Sequence, residues 1–502
     1  MSNAIAQELF GESEWTLEKL EKITELEREI AEELALDYYP IQIEIITPEQ
    51  MIDAFTSVGM PIMYQHWSFG KHFLQHERSY QQSGGLAYEI VINSNPSHVY
   101  CMETNTVVTQ ALVIAHAAFG HNSFFKKNYF FQQWTHADAI VDYLVFARGY
   151  VNECEEKYGV DALEDVLDAC HALSHYGVDR YKRPPRLSLV EEENRQRERA
   201  EQYERDLNIL WHTIPRKTEE QKKEEKFPKE PEENILYFLE KNAPNLPVWK
   251  REIIRIVRKI AQYFYPQRLT KMMNEGFATF VHYYIINRLY EKGFLTEGAM
   301  LEFLQFHTNL ANQRDLNFYI NPYSLVFKMF LDIKRICENP TPEDREWFPE
   351  LMGVPWVAAV QDAMQNFKDE SFILQYLSPK VIRDFRIFSV RDNDKETDLG
   401  VTAIHRDDGY RHVRRVLASH FDPGINEPMI EVATVAVKSD RTLALRHHRV
   451  NRRPLEKTDT ERVLLYTEKL WEFPVELEEE DEEGRVRTLW RIAKGEVVTA
   501  PT

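Results

Sequence analysis

The chain has 502 residues, 43% of them hydrophobic and 12% aromatic, enough for one large core and a smaller second unit. A formal net charge of −20 argues against non-specific binding to nucleic acid or anionic lipid, both of which need a basic surface. The four cysteines (Cys101, Cys154, Cys170 and Cys337) make no CxxC pair and no disulfide framework, and no run of about 18 apolar residues offers a membrane span.

The N-terminus lacks a basic region followed by an apolar one, so no secretory signal is expected and the expected compartment is the cytoplasm. Leu17, Leu20, Ile23, Leu26, Ile30 and Leu34 recur at spacings of three and four, which predicts an amphipathic helix within 15–37. LAYEIVIN, residues 86–93, is rich in strand formers and bounded by Gly and Pro turns. TNTVVTQALVIAHAAFG, residues 104–120, is apolar nearly all round. It predicts a helix buried in the core and capped by Thr104 or Asn105. Two or three more helices follow to about His175.

Residues 188–234 are a charged helix or solvated insertion and then a Lys/Glu/Pro linker. Helical periodicity returns in NILYFLE, REIIRIVRKIAQYF and GFATFVHYYIINRLY. From about Pro379, FRIFSV, MIEVATVAV, RTLALRH, RVLLYTEKLW and VRTLWRIA read as strands, with HVRRVLASHF as the one helix among them. The expected fold is α+β: a large, mainly α-helical N-terminal domain with a small sheet, plus a small α+β C-terminal domain. Its segments are 1–187, 188–234, 235–378 and 379–502.

AHAAFGHNSFFKKN, residues 115–128, places His116 and His121 on the apolar helix. Imidazole is a good zinc or iron ligand on a rigid support. Residues five apart lie about 140° apart around an α-helix, so the two rings share a face only if the helix ends or bulges near Gly120. In MNEGFATFVHYY, residues 273–284, Glu275, Thr279 and His282 fall on one helix face. A carboxylate on an apolar helix is costly to bury unless it is paired or bound to a metal, so Glu275 can be the oxygen ligand or a general base. Otherwise these side chains are hydrogen-bonded core groups.

His72/His76 and His171/His175 (with Asp168 a turn earlier) have i, i+4 spacing, a weak metal signal. His66 sits among aromatics, and His136 and Asp138 lie close to the first His segment. AIHRDDGYRHVRR suggests strand, turn and helix. RHHRVNRR, residues 446–453, either recognises an anionic partner or pairs with the acidic run Glu476–Glu483. GxGxxG after a strand, a P-loop and GxSxG are all missing.

HWSFGK, YEIVINSNP, AHAAFGHNSFFKKN, DRYKRP, YFYPQRLTKMMNEGFATFVHY, NPYSLVFKMFLDIKR and IHRDDGYRHVR occur in this order. Together they resemble the bacterial SpoVR family (stage V sporulation protein R-like) over about residues 15–470. The resemblance implies a cytoplasmic role tied to spore cortex formation or to stationary-phase stress physiology. It also implies functional association with a PrkA-type serine kinase and a YeaH-type protein. It brings no assigned reaction; His66, His116, His121, Asn128, Glu275 and His282 are the residues it carries.

Two functions stay open. One is a partner-binding regulator. The other is a zincin-like metal-dependent hydrolase acting on a peptide or cell-wall precursor. In that second case one divalent ion, zinc first, is held by His116, His121 and Glu275, and Glu275, His282 and His66 are the catalytic candidates.

Overall fold

The structure is a computed structural model that describes residues 2–57, 60, 62–68, 89–180, 227–310, 321–387, 390–391, 400–401, 406–449 and 453–501. The chain divides into two units, Met1–Asp168 with Lys259–Glu427, and Ala169–Arg258 with Pro428–Thr502.

In the first unit, Thr16 accepts from the Lys19 N–H and so opens helix α1, Leu17–Glu33. Its buried stripe is Leu20, Ile23, Thr24, Glu27, Ile30 and Ala31, the expected amphipathic face with one carboxylate inside it. Strand β1 (Ile41–Ile46), strand β2 (Glu89–Val91) and strand β3 (Ser97–Met102) form a sheet in the order β1-β3-β2. β1 runs parallel to β3 and β2 antiparallel to it, with Glu89 opposite Cys101. Residues 86–88 of the expected strand lie outside the described residues.

Helix α2 (Val107–Ile114) follows, capped by Thr106, whose side chain accepts from the Thr109 N–H. The cap falls one or two residues later than expected. All of α2 but Leu112 is buried, as its all-round apolar sequence predicts. The chain continues into a π-helical segment, Ala115–His121.

Helix α3 (Lys271–Glu291) is the central strut, buried without a break from Gly276 to His282. Around it lie helix α4 (Glu297–Leu310), helix α5 (Pro322–Glu338) and helix α6 (Asp369–Tyr376). Asp369 fastens the start of α3 by accepting the N–H groups of Met272 and Met273 at 3.0 and 2.8 Å.

Two glycines allow close helix contacts. A Cβ on Gly120 would lie 2.7 Å from Ala278 Cα, and one on Gly276 would lie 2.4 Å from Val326 Cβ. Gly276→Ala is therefore expected to destabilise the unit by about 1–3 kcal/mol through overpacking, despite alanine's better helix propensity. The check is a lower chemical denaturation midpoint; an unchanged midpoint would mean that α5 yields.

Helix α7 (Asp407–Ser419) was expected in the C-terminal domain, but it belongs to the first unit. Tyr410, Leu417 and Ala418 join the same core as Phe372 and Ile373. The Arg414 guanidinium donates to the Leu377 and Leu374 carbonyls at the end of α6. The last boundary thus falls between Glu427 and Pro428 rather than near 379, and the two units interleave along the chain instead of following the four consecutive segments.

The second unit holds a sheet of strand β4 (Met429–Val435), strand β5 (Leu443–His448), strand β6 (Val475–Glu480), strand β7 (Val486–Ala493) and strand β8 (Glu496–Pro501), in the order β8-β7-β6-β5-β4. Helix α8, Lys457–Trp471, connects β5 to β6, which run parallel, and packs on β6 and β7. RVLLYTEKLW, expected as a strand, lies in this helix. Glu456 caps it by accepting from the Asp459 N–H, and Thr460, Leu464, Thr467, Leu470 and Trp471 form its buried stripe. The acidic run supplies β6, in which Val475, Leu477 and Glu479 point inward.

Candidate metal centre

The π segment solves the spacing problem of His116 and His121. A π turn closes i→i+5 hydrogen bonds, so residues five apart stack on one face. The two rings lie edge to face with centroids 4.6 Å apart. The sequence left open whether the helix ends or bulges near Gly120; the structure has it bulge. Gly120 itself serves the close approach to Ala278 on α3, the helix that carries Glu275.

Three elements converge here. Glu89 from β2 and His116 and His121 from the π segment each offer a ligand atom, all within 4.8 Å of one another, and this group could hold a metal ion. Glu275 from α3 stands beside it, its Oε2 3.6 Å from His116 Nε2 and 3.4 Å from His121 Nε2. Glu89 Oε1 is 3.7 Å from His116 Nε2. The side chains of Glu89 and Glu275 are 19% and 23% exposed, against 5% and 7% for His116 and His121. The carboxylates therefore reach the surface and the imidazoles lie beneath it.

The far side of each ring is also engaged. His121 Nδ1 donates to Asn274 Oδ1 at 2.8 Å, which turns its Nε2 toward the carboxylates. His116 Nδ1 lies 2.9 Å from His282 Nδ1. Partners of this kind orient metal-binding histidines and fix their tautomers.

Charge at the site follows burial and pairing. Burial pushes the Glu89 carboxyl up, against the pull of His116 and His121. Burial also works to raise Glu275, but the His121 and His116 imidazoles outweigh it and hold that carboxyl well below the usual range. His121 is raised: burial opposes its charge, and Glu275, followed by Asn274, overrides burial. Burial drives His282 well below the ordinary imidazole value. His307 falls to about 4 through burial, Lys328 and His116.

The other expected site residues are held elsewhere. His66 Nδ1 lies 2.7 Å from Ser68 Oγ and its Nε2 3.1 Å from Asp168 Oδ1, which also accepts from Trp67 Nε1. Asn128 is a structural cross-link: it accepts from the Phe130 N–H and donates to the Met364 and Phe367 carbonyls. His171 lies in the last turn of the helix Val160–Ala172 while His175 lies in the 3-10 turn Ser174–Tyr176, so their i, i+4 spacing does not fall on one helix. Asp138 accepts from Asn95 Nδ2. His72 and His76 lie outside the described residues.

In the second unit the basic cluster pairs with the acidic strand. Arg446 and His448 lie 2.9 and 3.1 Å from Glu480, and Arg449 lies 2.8 Å from Glu479. No helix among the described residues is long and apolar enough to cross a membrane.

Residues 14–425 match the family described as SpoVR like protein, and residues 428–482 match the SpoVR-like C-terminal domain. The chain belongs to the SpoVR family. It is 54% identical over 486 residues, 95% of both chains, to a protein of Escherichia coli (strain K12) that bears the name Uncharacterized protein YcgB. No solved structure matches. The cluster of Glu89, His116 and His121 lies wholly within the matched SpoVR region.

Sequence reasoning missed two residues of this candidate site. Glu89 sits in a segment whose signal is strand formation, and β2, paired with β3, packs on the π segment that carries the histidines. His307, 3.0 Å from His282 Nε2, is a lone histidine on α4 with no spacing signal at all.

Proposed function

We propose that the chain is a metal-dependent hydrolase in which Glu89, His116 and His121 hold the ion and Glu275 is the base. The observation that carries this reading is the convergence of two oriented imidazoles with two carboxylates at a partly open site. Two histidines and one carboxylate, with a position left over, make the ligand set of catalytic zinc sites; closed structural sites use four protein ligands. A bound divalent ion supplies the Lewis acidity that makes water a nucleophile near neutral pH.

The chain's own groups do the rest. Glu275, whose Oε2 lies 3.6 and 3.4 Å from the Nε2 atoms of His116 and His121, would accept the proton of the attacking water and return it to the leaving group. Asn274 keeps the His121 Nε2 turned inward. A peptide or a cell-wall precursor supplies an amide suited to this chemistry, and the family's link to cortex formation favours such a substrate. The rival reading, a partner-binding regulator, gave working roles to the acidic linker and to the Arg/His cluster of 446–453; residues 188–226 and 450–452 lie outside the described residues, and Arg446, His448 and Arg449 are engaged by Glu479 and Glu480.

Elemental analysis of the purified full-length chain tests the proposal. About one zinc per chain is expected, with loss of the ion in His116→Ala and Glu89→Gln while circular dichroism stays unchanged. A protein that neither retains zinc nor takes it up would refute the reading.

A further inference from the structure

A row of three imidazoles leads away from the centre. His116 Nδ1 lies 2.9 Å from His282 Nδ1, and His282 Nε2 lies 3.0 Å from His307 Nδ1. His282 is wholly buried and His307 is 7% exposed. The His307 ring is packed by Tyr283, Phe303 and Phe327, at centroid distances of 4.9, 5.6 and 5.0 Å.

Each neutral imidazole carries one N–H and one lone pair. Two imidazole–imidazole hydrogen bonds in series therefore allow two proton arrangements. In the inward one, His307 Nδ1 donates to His282 Nε2, and His282 Nδ1 donates to His116 Nδ1. The hydrogen of His116 then sits on Nε2, facing Glu89 and Glu275 at 3.7 and 3.6 Å, and no lone pair is free for an ion. In the outward one both bonds reverse. His116 Nδ1 donates to His282, His282 Nε2 donates to His307, the Nε2 of His116 is free, and the last hydrogen sits on the Nε2 of His307.

We propose that His282 and His307 are positioning residues of the metal centre, and that an ion at His116 selects the outward arrangement and so reports its presence at the outer nitrogen of His307. This rests on the reading of Glu89, His116 and His121 as ligands. The hydrogens balance: three are held in both arrangements, and the exchange removes one from His116 Nε2 and adds one at His307 Nε2 with no change in charge. A metal-binding histidine that donates to a carboxylate or a backbone carbonyl has a partner that cannot reverse. Here the partner is an imidazole, which can.

The test uses the full-length chain labelled with 15N-histidine and zinc as the probe. On zinc addition, the Nε2 resonance of His307, assigned through His307→Phe, should move from the unprotonated to the protonated range. Chelator competition should show His282→Ala weakening zinc about 10–100-fold, within the range for loss of an outer partner. His282→Gln can both accept and donate and should recover most of that loss. His307→Phe keeps the aromatic packing and should weaken zinc several-fold. Tight zinc binding that is unchanged in these variants, with static His307 nitrogens, would overturn the relay and leave the metal site standing. A wild-type chain that binds no zinc would overturn both.

Discussion

Glu275→Gln should slow hydrolysis of a cell-wall peptide by about 10²–10⁴-fold while the zinc content stays the same. The carboxamide keeps the shape of the side chain but cannot take a proton. Glu275 lies beside the group of Glu89, His116 and His121 rather than within it. Glu89→Gln should do the reverse and lose the ion first. The pair is read by mass spectrometry of cleavage products together with elemental analysis. If Glu275→Gln also empties the site, Glu275 is a ligand, as the sequence alone suggests, and the base must be sought elsewhere.

Glu27→Leu should stabilise the first unit by about 1–3 kcal/mol, and the gain should grow with pH. Glu27 is 0% exposed on the core face of α1, and neither carboxyl oxygen has a hydrogen-bond partner among the described residues. Burial alone holds its carboxyl well above the usual range. In the unfolded chain it ionises near ~4.3. Between that pH and its folded value the folded state binds the extra proton, so its contribution to stability is full below ~4.3 and falls as pH rises. Leucine removes the slope. Denaturation midpoints of both proteins at pH 5 and pH 8 give the answer; an identical difference at the two pH values would mean that Glu27 ionises normally.

Local rules carried much of the fold. The stripe from Leu20 to Ile30 marked α1, and the all-round apolar character of 107–114 marked a buried helix. They went astray where two local signals compete and where distant segments pack together. RVLLYTEKLW is rich in strand formers, yet the Glu456 cap and the spacing of Leu464, Thr467 and Trp471 make it helical. The interleaved units were not legible, because the packing of α7 on α6 through Arg414 leaves no compositional trace. At the site, His116, His121, Glu275 and His282 were legible because histidines and a carboxylate are rare on apolar helices. Glu89 and His307 were not, since each is brought in by a separate element and has no companion nearby in sequence.

The π segment also bears on how such centres are recognised. On an α-helix, paired ligands stand four residues apart, and motif patterns such as HxxxH and HExxH encode that interval. Ala117, Ala118, Phe119 and Gly120 between the two histidines make the interval five, so any pattern written for ordinary helices passes over them. A search for two histidines five apart in an apolar helix with glycine before the second should find further candidate sites of this geometry in chains that lack HxxxH and HExxH patterns.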